Sequence, residues 1–301
     1  MQIIAITMNM TMADSANTKT EKRIDERCLQ CFLRTYQRLF DKFNVDQKSR
    51  DEFLRFYDET WKKNDYLPAQ QVQQILNTAF GKMIGEGDPF ASEKKENNEI
   101  ALELYQKIKP QVMHSDDPFT MALRLAIAGN VMDYGAHSNF DIHATIEKAL
   151  EVKLSIDYSE QLRTRIAEAK HILYLGDNAG EIVFDRLFIE TIMHNHVTFA
   201  VRGKAILNDV TMEDALLVGI DKVADVISNG AGNPSTVLPN CSQEFLKVFY
   251  EADLIISKGQ GNLEGLIDLH DPRIFFLLMA KCDVIGERLG VEKGSFNVYN
   301  P

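Results

Sequence analysis

At 301 residues and 34.2 kDa the chain is long enough to bury a substantial core in one or two domains. Its 45% hydrophobic and 26% charged content is that of a globular protein, and a formal net charge of -11 excludes the basic face of a nucleic-acid binder. No apolar run approaches the roughly 18 residues of a membrane span, no basic segment marks a secretory signal, and four cysteines in this length are no disulfide framework. The expectation is a cytoplasmic protein with neither nucleic acid nor membrane as partner.

Residues 1–20 read as a loose tail, and 21–165 as a helical domain with almost no strand signal. Leu29, Phe32, Leu33, Tyr36, Leu39 and Phe40 recur at helical spacing and make the first helix amphipathic. A second passes through Phe53, Leu54, Tyr57 and Trp61. Pro68, suited to a first helical turn, opens a third with Val72, Ile75, Leu76 and Phe80 on its apolar side. Gly85 to Pro89 is a turn, and a fourth helix through Ile100, Leu102, Tyr105 and Ile108 is expected to stop near Pro110. Asp117-Pro118 caps and opens a buried helix reaching Met132, and two helical stretches follow around Ile142–Val152 and Leu162–Ala169.

The pattern then changes. Apolar runs at Ile172–Leu175, Val197–Val201, Val223–Ile227, Leu254–Ile256 and Ile274–Leu278 alternate with helices near 182–193, 211–218, 241–250, 262–268 and 282–290. Thr211-Met-Glu-Asp214 has the form of a capping box with Asp in place of Glu. Short strands alternating with helices imply an α/β fold: a helical N-terminal region, then a three-layer α/β/α core with a mostly parallel sheet. The expected Rossmann-like metal- and phosphate-binding domain is 166–301.

In such a sheet, ligands bind beyond the carboxyl ends of the strands. Five expected strand ends carry polar residues: Gly176-Asp-Asn178, Arg202-Gly-Lys204, Ser228-Asn-Gly230, Ser257 to Asn262, and Lys281-Cys282. Asp177, Asn178 and Asp209 offer oxygen alone, which suits Mg²⁺ or Mn²⁺ better than zinc. Lys258 and Lys281 are strand-end cations suited to a phosphate, and Gly259 and Gly261 let backbone N–H groups approach an anion. A divalent cation beside lysines and a glycine-rich loop is a phosphoryl site in outline.

Each piece has a plainer reading. Asp177-Asn178 could cap the following helix, Asn208-Asp209 could be a turn, and the lysines could be solvated strand ends. Gly176-Asp-Asn-Ala-Gly180 fails the dinucleotide fingerprint, so a nucleotide- or methyl-donor transferase is an alternative of lower rank. His194 and His196 fall at the wrong end of their unit and read as surface residues. Cys28-Leu-Gln-Cys31 lies within a helix, where buried core cysteines are the leading reading; a redox pair lacks its flanking βαβ context, and a zinc site would need Cys241 and Cys282 to join them. Cys282 brings a thiol beside Lys281.

Taken together, Gly176-Asp-Asn-Ala-Gly-Glu181, Arg202-Gly-Lys-Ala-Ile-Leu-Asn-Asp209, Ser257-Lys-Gly-Gln-Gly-Asn-Leu-Glu264 and Lys281-Cys282 resemble, in order, the motifs of the damage-control phosphatases. The helical segment Ala128-Gly-Asn-Val-Met-Asp133 and the C-x-x-C pair resemble elements of the stand-alone prokaryotic branch. The likeness runs from about residue 22 onward. It implies a metal-dependent phosphatase of small phosphorylated metabolites on an α/β/α core with a helical N-terminal region. By position, Asp177, Asn178 and Asp209 would ligate Mn²⁺, Mg²⁺, Co²⁺ or Ni²⁺. Lys281 and Gln260 to Glu264, Asn262 above all, would hold the phosphate, with Lys258 and Gly259 beside them. Asn130 and Asp133 would reach the site from the helical region, and Glu181 is the expected proton shuttle beside Asp177. The eukaryotic Arg-Thr-x-Lys motif is here Leu278-Met-Ala-Lys281, and Glu264 stands where that branch has Arg, so that branch's substrates are not transferred. A non-catalytic metal- or metabolite-binding regulator is the other alternative; oligomeric state is not legible.

Overall fold

A computed structural model describes residues 24–85, 87–129, 151 and 153–301. Asn130, Asp133 and, but for Glu151, the helix expected around Ile142–Val152 lie outside those residues, as does the tail.

Five helices open the fold: α1 (Glu26–Lys42), α2 (Gln47–Lys63), α3 (Ala69–Ile84), α4 (Ala91–Met113) and α5 (Pro118–Ala128). Local chemistry sets their starts. Asp25, Asp46 and Asp117 each accept a first-turn backbone N–H through the side chain, meeting donors that a helix cannot pair internally. Pro110 does not stop α4, which continues to Met113. A proline in the last turn forfeits a single intrahelical bond, and Tyr105, Ile108 and Val112 anchor that turn in the core. Tyr36, Phe40, Phe53, Tyr57, Trp61 and Phe80 form a separate aromatic core for α1–α3.

The strands are β1 (Ile156–Asp157), β2 (Ile172–Leu175), β3 (Val197–Val201), β4 (Asp225–Ser228), β5 (Leu254–Lys258), β6 (Ile274–Met279) and β7 (Phe296–Tyr299). They form one sheet in the order β1-β7-β6-β5-β2-β3-β4, parallel except between β6 and β7. The mixed α/β architecture with a mostly parallel sheet is thus as expected. β1 and β7 are additions: β1 falls inside the stretch expected to be helical. Between the strands lie α6 (Ser159–Glu168), α7 (Glu181–Ile192), α8 (Met212–Val218), α9 (Gln243–Glu251), α10 (Gly259–Leu266) and α11 (Asp283–Leu289).

One core lies between the sheet and α4, α5 and α7; a second lies between the opposite face and α9–α11. Strands buried on both faces read as continuous apolar runs, which is why β2, β3, β5 and β6 were visible in the sequence. The sheet reverses its order at β2, with β3 on one side and β5 on the other. That reversal creates a crevice at the carboxyl ends of β2 and β5. No helix among the described residues is long and apolar enough to cross a membrane.

Candidate active site

The turn after β2 is held from three directions. Val210 donates its N–H to the Asp177 carbonyl at 2.9 Å and Ala179 donates to the Asn208 carbonyl at 2.9 Å, so Asn178 and Asp209 form an isolated antiparallel bridge. Two oxygen-bearing segments more than thirty residues apart are thereby locked side by side. Gly180, at φ +79°, turns the chain into α7 and donates its N–H to Asn98 of α4 at 2.7 Å. The Asn98 carboxamide in turn donates to Asp214 at 3.1 Å, whose other oxygen closes the capping box with Thr211 and pairs with Lys94 at 2.6 Å. Helix α4 therefore braces both segments through side chains that are 2% (Lys94) and 0% (Asn98) exposed.

Asp177, Glu181, Asp185 and Asp209 are all enclosed, and so are two cations, Arg202 and Lys258. Lys258 donates to Glu181, to Asp185 at 2.5 Å and to the Ala126 carbonyl at 2.8 Å. Its three N–H bonds are spent inside the protein, and it is 0% exposed. Burial alone would push its ammonium down, but Asp185 and Glu181 outweigh that and hold it above the ordinary value. Lys258, expected at the phosphate, ends β5 in this structure, and its side chain turns inward to a carboxylate pair.

The same holds for Asn262. Its amide donates to the carbonyls of Gly176 at 3.1 Å and Lys258 at 2.8 Å, while its oxygen accepts from Arg202 and from the N–H and hydroxyl of Thr236. Every capacity of this carboxamide is used, leaving none for a phosphate. The expected glycine-rich loop is also helix: α10 begins at Gly259 itself. Gln260 accepts the Lys281 N–H at 2.8 Å and donates to Glu264 at 2.8 Å, fixing the strand end that carries the exposed Lys281.

Arg202 was not singled out as a site residue, although its strand end was. It donates through Nε to Asp209 at 2.6 Å and through Nη1 to Asn262 at 3.0 Å and Thr236 at 3.2 Å. Nη2 lies 3.7 Å from an Asp177 oxygen, and no hydrogen bond to it is found among the described residues. Burial, then Glu181 and Asp209, push the Asp177 carboxyl up to about 7, against the pull of Arg202 and Lys281. Burial also raises Asp209 and takes Asp185 to about 7. With Lys94 paired to Asp214, the other enclosed carboxylates (Asp177, Glu181, Asp185 and Asp209), when ionised, exceed Arg202 and Lys258 by two charges, the charge of one divalent ion. Asn178, whose amide donates to Asp177 at 2.8 Å and Glu181 at 3.2 Å, completes an all-oxygen donor set. Among the described residues, no three His, Cys, Asp or Glu side chains stand at metal-binding spacing, so the set depends on the Asn178 carboxamide.

Cys28, Cys31 and Cys282 line a cavity of about 940 Å³ where α1 meets the Lys281 strand end; Cys241 is buried elsewhere. Burial pushes the Cys28 thiol up to about 11, so it rests protonated.

Comparison with known proteins shows the family. Residues 24–296 match the damage-control phosphatase ARMT1-like domain. The chain is 35% identical to damage-control phosphatase PH1575 of Pyrococcus horikoshii, with 91% of this chain and 96% of that protein aligned. It is 32% identical to a damage-control phosphatase of Archaeoglobus fulgidus, with 90% and 97% aligned. The crystal structure of PH1575, described as a DUF89 family protein, superposes with a TM-score of 0.84 at 34% identity, covering 92% of this chain and 98% of that one.

Proposed function

The chain belongs to the damage-control phosphatase ARMT1-like family, and from that premise we propose that it is a metal-dependent phosphomonoesterase of sugar phosphates or damaged phosphometabolites. The observation that carries the reading is the bridge setting Asn178 against Asp209, with Asp177 in the same enclosed, negatively charged cluster. Asp177, Asn178 and Asp209 would hold Mn²⁺, Mg²⁺, Co²⁺ or Ni²⁺, whose charge matches the excess on the carboxylates. When bound there, such a cation supplies Lewis-acid charge to the phosphoryl oxygens.

The chain's own residues supply the rest. Arg202 offers Nη2 to a phosphoryl oxygen from inside the site. Lys281 is exposed at the same edge and takes the outer charge of the phosphate, its backbone fixed by Gln260. Glu181, expected as a proton shuttle, is 0% exposed and tied to Lys258 and Asn178, so its assigned role becomes orientation of Asn178. The proton of the attacking water falls to Asp177, whose two oxygens differ: one accepts from Asn178 and the other faces Arg202.

The test is phosphate release from hexose phosphates and p-nitrophenyl phosphate with Mn²⁺, Co²⁺, Ni²⁺, Mg²⁺ or EDTA and no second substrate. Release that needs the cation and vanishes in Asp177→Ala is expected. Folded protein that binds the cation yet releases nothing from any ester would favour a regulator or a transferase instead.

A further inference from the structure

One buried segment is not used by that account. Between β4 and α9 the chain passes through Asn229 to Thr236, and both ends of this loop are anchored. Asn229 accepts the N–H groups of Gly203 at 3.0 Å and Ala231 at 2.9 Å. Thr236 is held by Asn262 and Arg202. Helix α10 is notched to receive the loop. A Cβ on Gly261 would lie 2.3 Å from the Pro234 carbonyl oxygen, and one on Gly265 would lie 2.3 Å from that of Thr236. Glycines one helical turn apart thus let the backbone of the loop lie on the helix.

The middle of the loop is unlike its ends. Asn233 is 0% and Ser235 1% exposed, yet both atoms of the Asn233 carboxamide and the Ser235 hydroxyl have no hydrogen-bond partner among the described residues. Buried polar side chains in native proteins are paired with few exceptions, so three orphaned atoms within three residues call for a partner other than the fold itself, an enclosed water or a group of the ligand. The site lies next to them in the network: Arg202 spans from Asp177 and Asp209 on one side to Thr236 on the other.

We propose that this loop is the wall that binds the hydroxyl-bearing leaving group of the substrate, with Asn233 and Ser235 as its specificity-determining residues. The inference rests on the phosphomonoesterase reading above. The chemistry of the orphans selects the ligand. A phosphate oxygen could satisfy the Asn233 amide but not its carbonyl, because both are acceptors. A hydroxyl donates and accepts, so two neighbouring hydroxyls of a polyol satisfy both ends of a carboxamide, and the Ser235 hydroxyl meets a third group. The phosphoryl end then lies toward Arg202 and the polyol end along the loop.

Stability and recognition should move in opposite directions, because removing an unpaired buried group relieves the free protein while leaving the substrate's hydroxyls unmet. In the cation-loaded full chain, Asn233→Ala is expected to keep or raise the unfolding temperature. It should raise KM for a hexose phosphate about tenfold, the loss expected from the net worth of a hydrogen bond to a substrate hydroxyl. KM for p-nitrophenyl phosphate, whose leaving group offers no neighbouring hydroxyls, should stay unchanged. Ser235→Ala should act in the same sense and less. A fall in unfolding temperature with both esters affected alike would overturn the proposal and make Asn233 a structural residue that works through an enclosed water; unchanged KM for both would overturn it as well. Binding is also read without turnover, as the rise in unfolding temperature given by hexose phosphate, large for the natural chain and lost in Asn233→Ala. If the natural chain releases no phosphate, the phosphatase reading fails alone; equal rises in both proteins would sink the wall.

Discussion

Lys258 and Arg202 are enclosed cations that both face the carboxylate cluster, and the protein treats them differently. Lys258 is saturated: two carboxylates and a carbonyl accept all that it can donate. Arg202 holds Asp209, Asn262 and Thr236, and its Nη2, 3.7 Å from Asp177, has no hydrogen bond among the described residues. The same contrast extends to their surroundings, since Asn262 is fully paired and Asn233 has no partner among the described residues. Burial alone therefore does not mark a functional residue. The informative quantity is the hydrogen-bonding capacity left over after the fold has used what it needs.

Substitution at the two cations separates scaffold from chemistry. Lys258→Met should have the largest effect, because Glu181 and Asp185 lose the charge that permits them to be buried. Breaking one side of a buried ion pair costs about 3–5 kcal/mol, visible in denaturant unfolding whether or not a cation is present. Arg202→Lys keeps the charge and removes the fork. Losing one preorganised donor should lower kcat about 100-fold with far less loss of stability than Lys258→Met. If the two variants lost stability equally, the contrast between them would fail.

The pH dependence of the metal-free protein sharpens the comparison. Asp177 and Asp185 are raised from 3.8 to about 7, so the folded chain holds protons that the unfolded chain releases. Fewer protons on the unfolded state mean that stability falls as pH rises from about 4 to about 7, with no further change from these groups on either side. Asp117 and Asp253 act in the opposite sense below that window, because hydrogen bonds lower them. Unfolding temperature in EDTA should thus decline across the window, and added Mn²⁺ should remove most of the decline. A flat or rising profile in EDTA would contradict the raised carboxylates.

Much of this was legible in the chain. The strands β2, β3, β5 and β6 announced themselves as apolar runs, and their polar ends placed Asp177 and Asn178 at the sheet edge. β1 and β7 did not, being two and four residues long and set at the margin, where β7 runs antiparallel to β6. The glycines of Gly259-Gln-Gly261 suggested an anion loop. Gly261 instead makes room for the Pro234 carbonyl of a loop about two dozen residues upstream, met only after folding, while Gly259 takes a φ of +75° at the entry to α10. Lys94 and Asn98 escaped notice because a sequence gives no sign that one polar face of α4 will be sealed against another segment's turn. Lys258, Asn262 and Arg202 all stand at the expected edge, but the side chains of Lys258 and Asn262 turn inward to partners within the fold. Which way a side chain turns at a strand end depends on partners far away in sequence.

The central claim is that Asp177, Asn178 and Asp209 form one cation site, and a calorimetric titration of the purified chain with Mn²⁺ tests it most directly. The account predicts binding at one site per chain, abolished in Asp177→Asn and in Asp209→Asn, and retained in Lys281→Ala. Undiminished Mn²⁺ affinity in both Asp177→Asn and Asp209→Asn would contradict it.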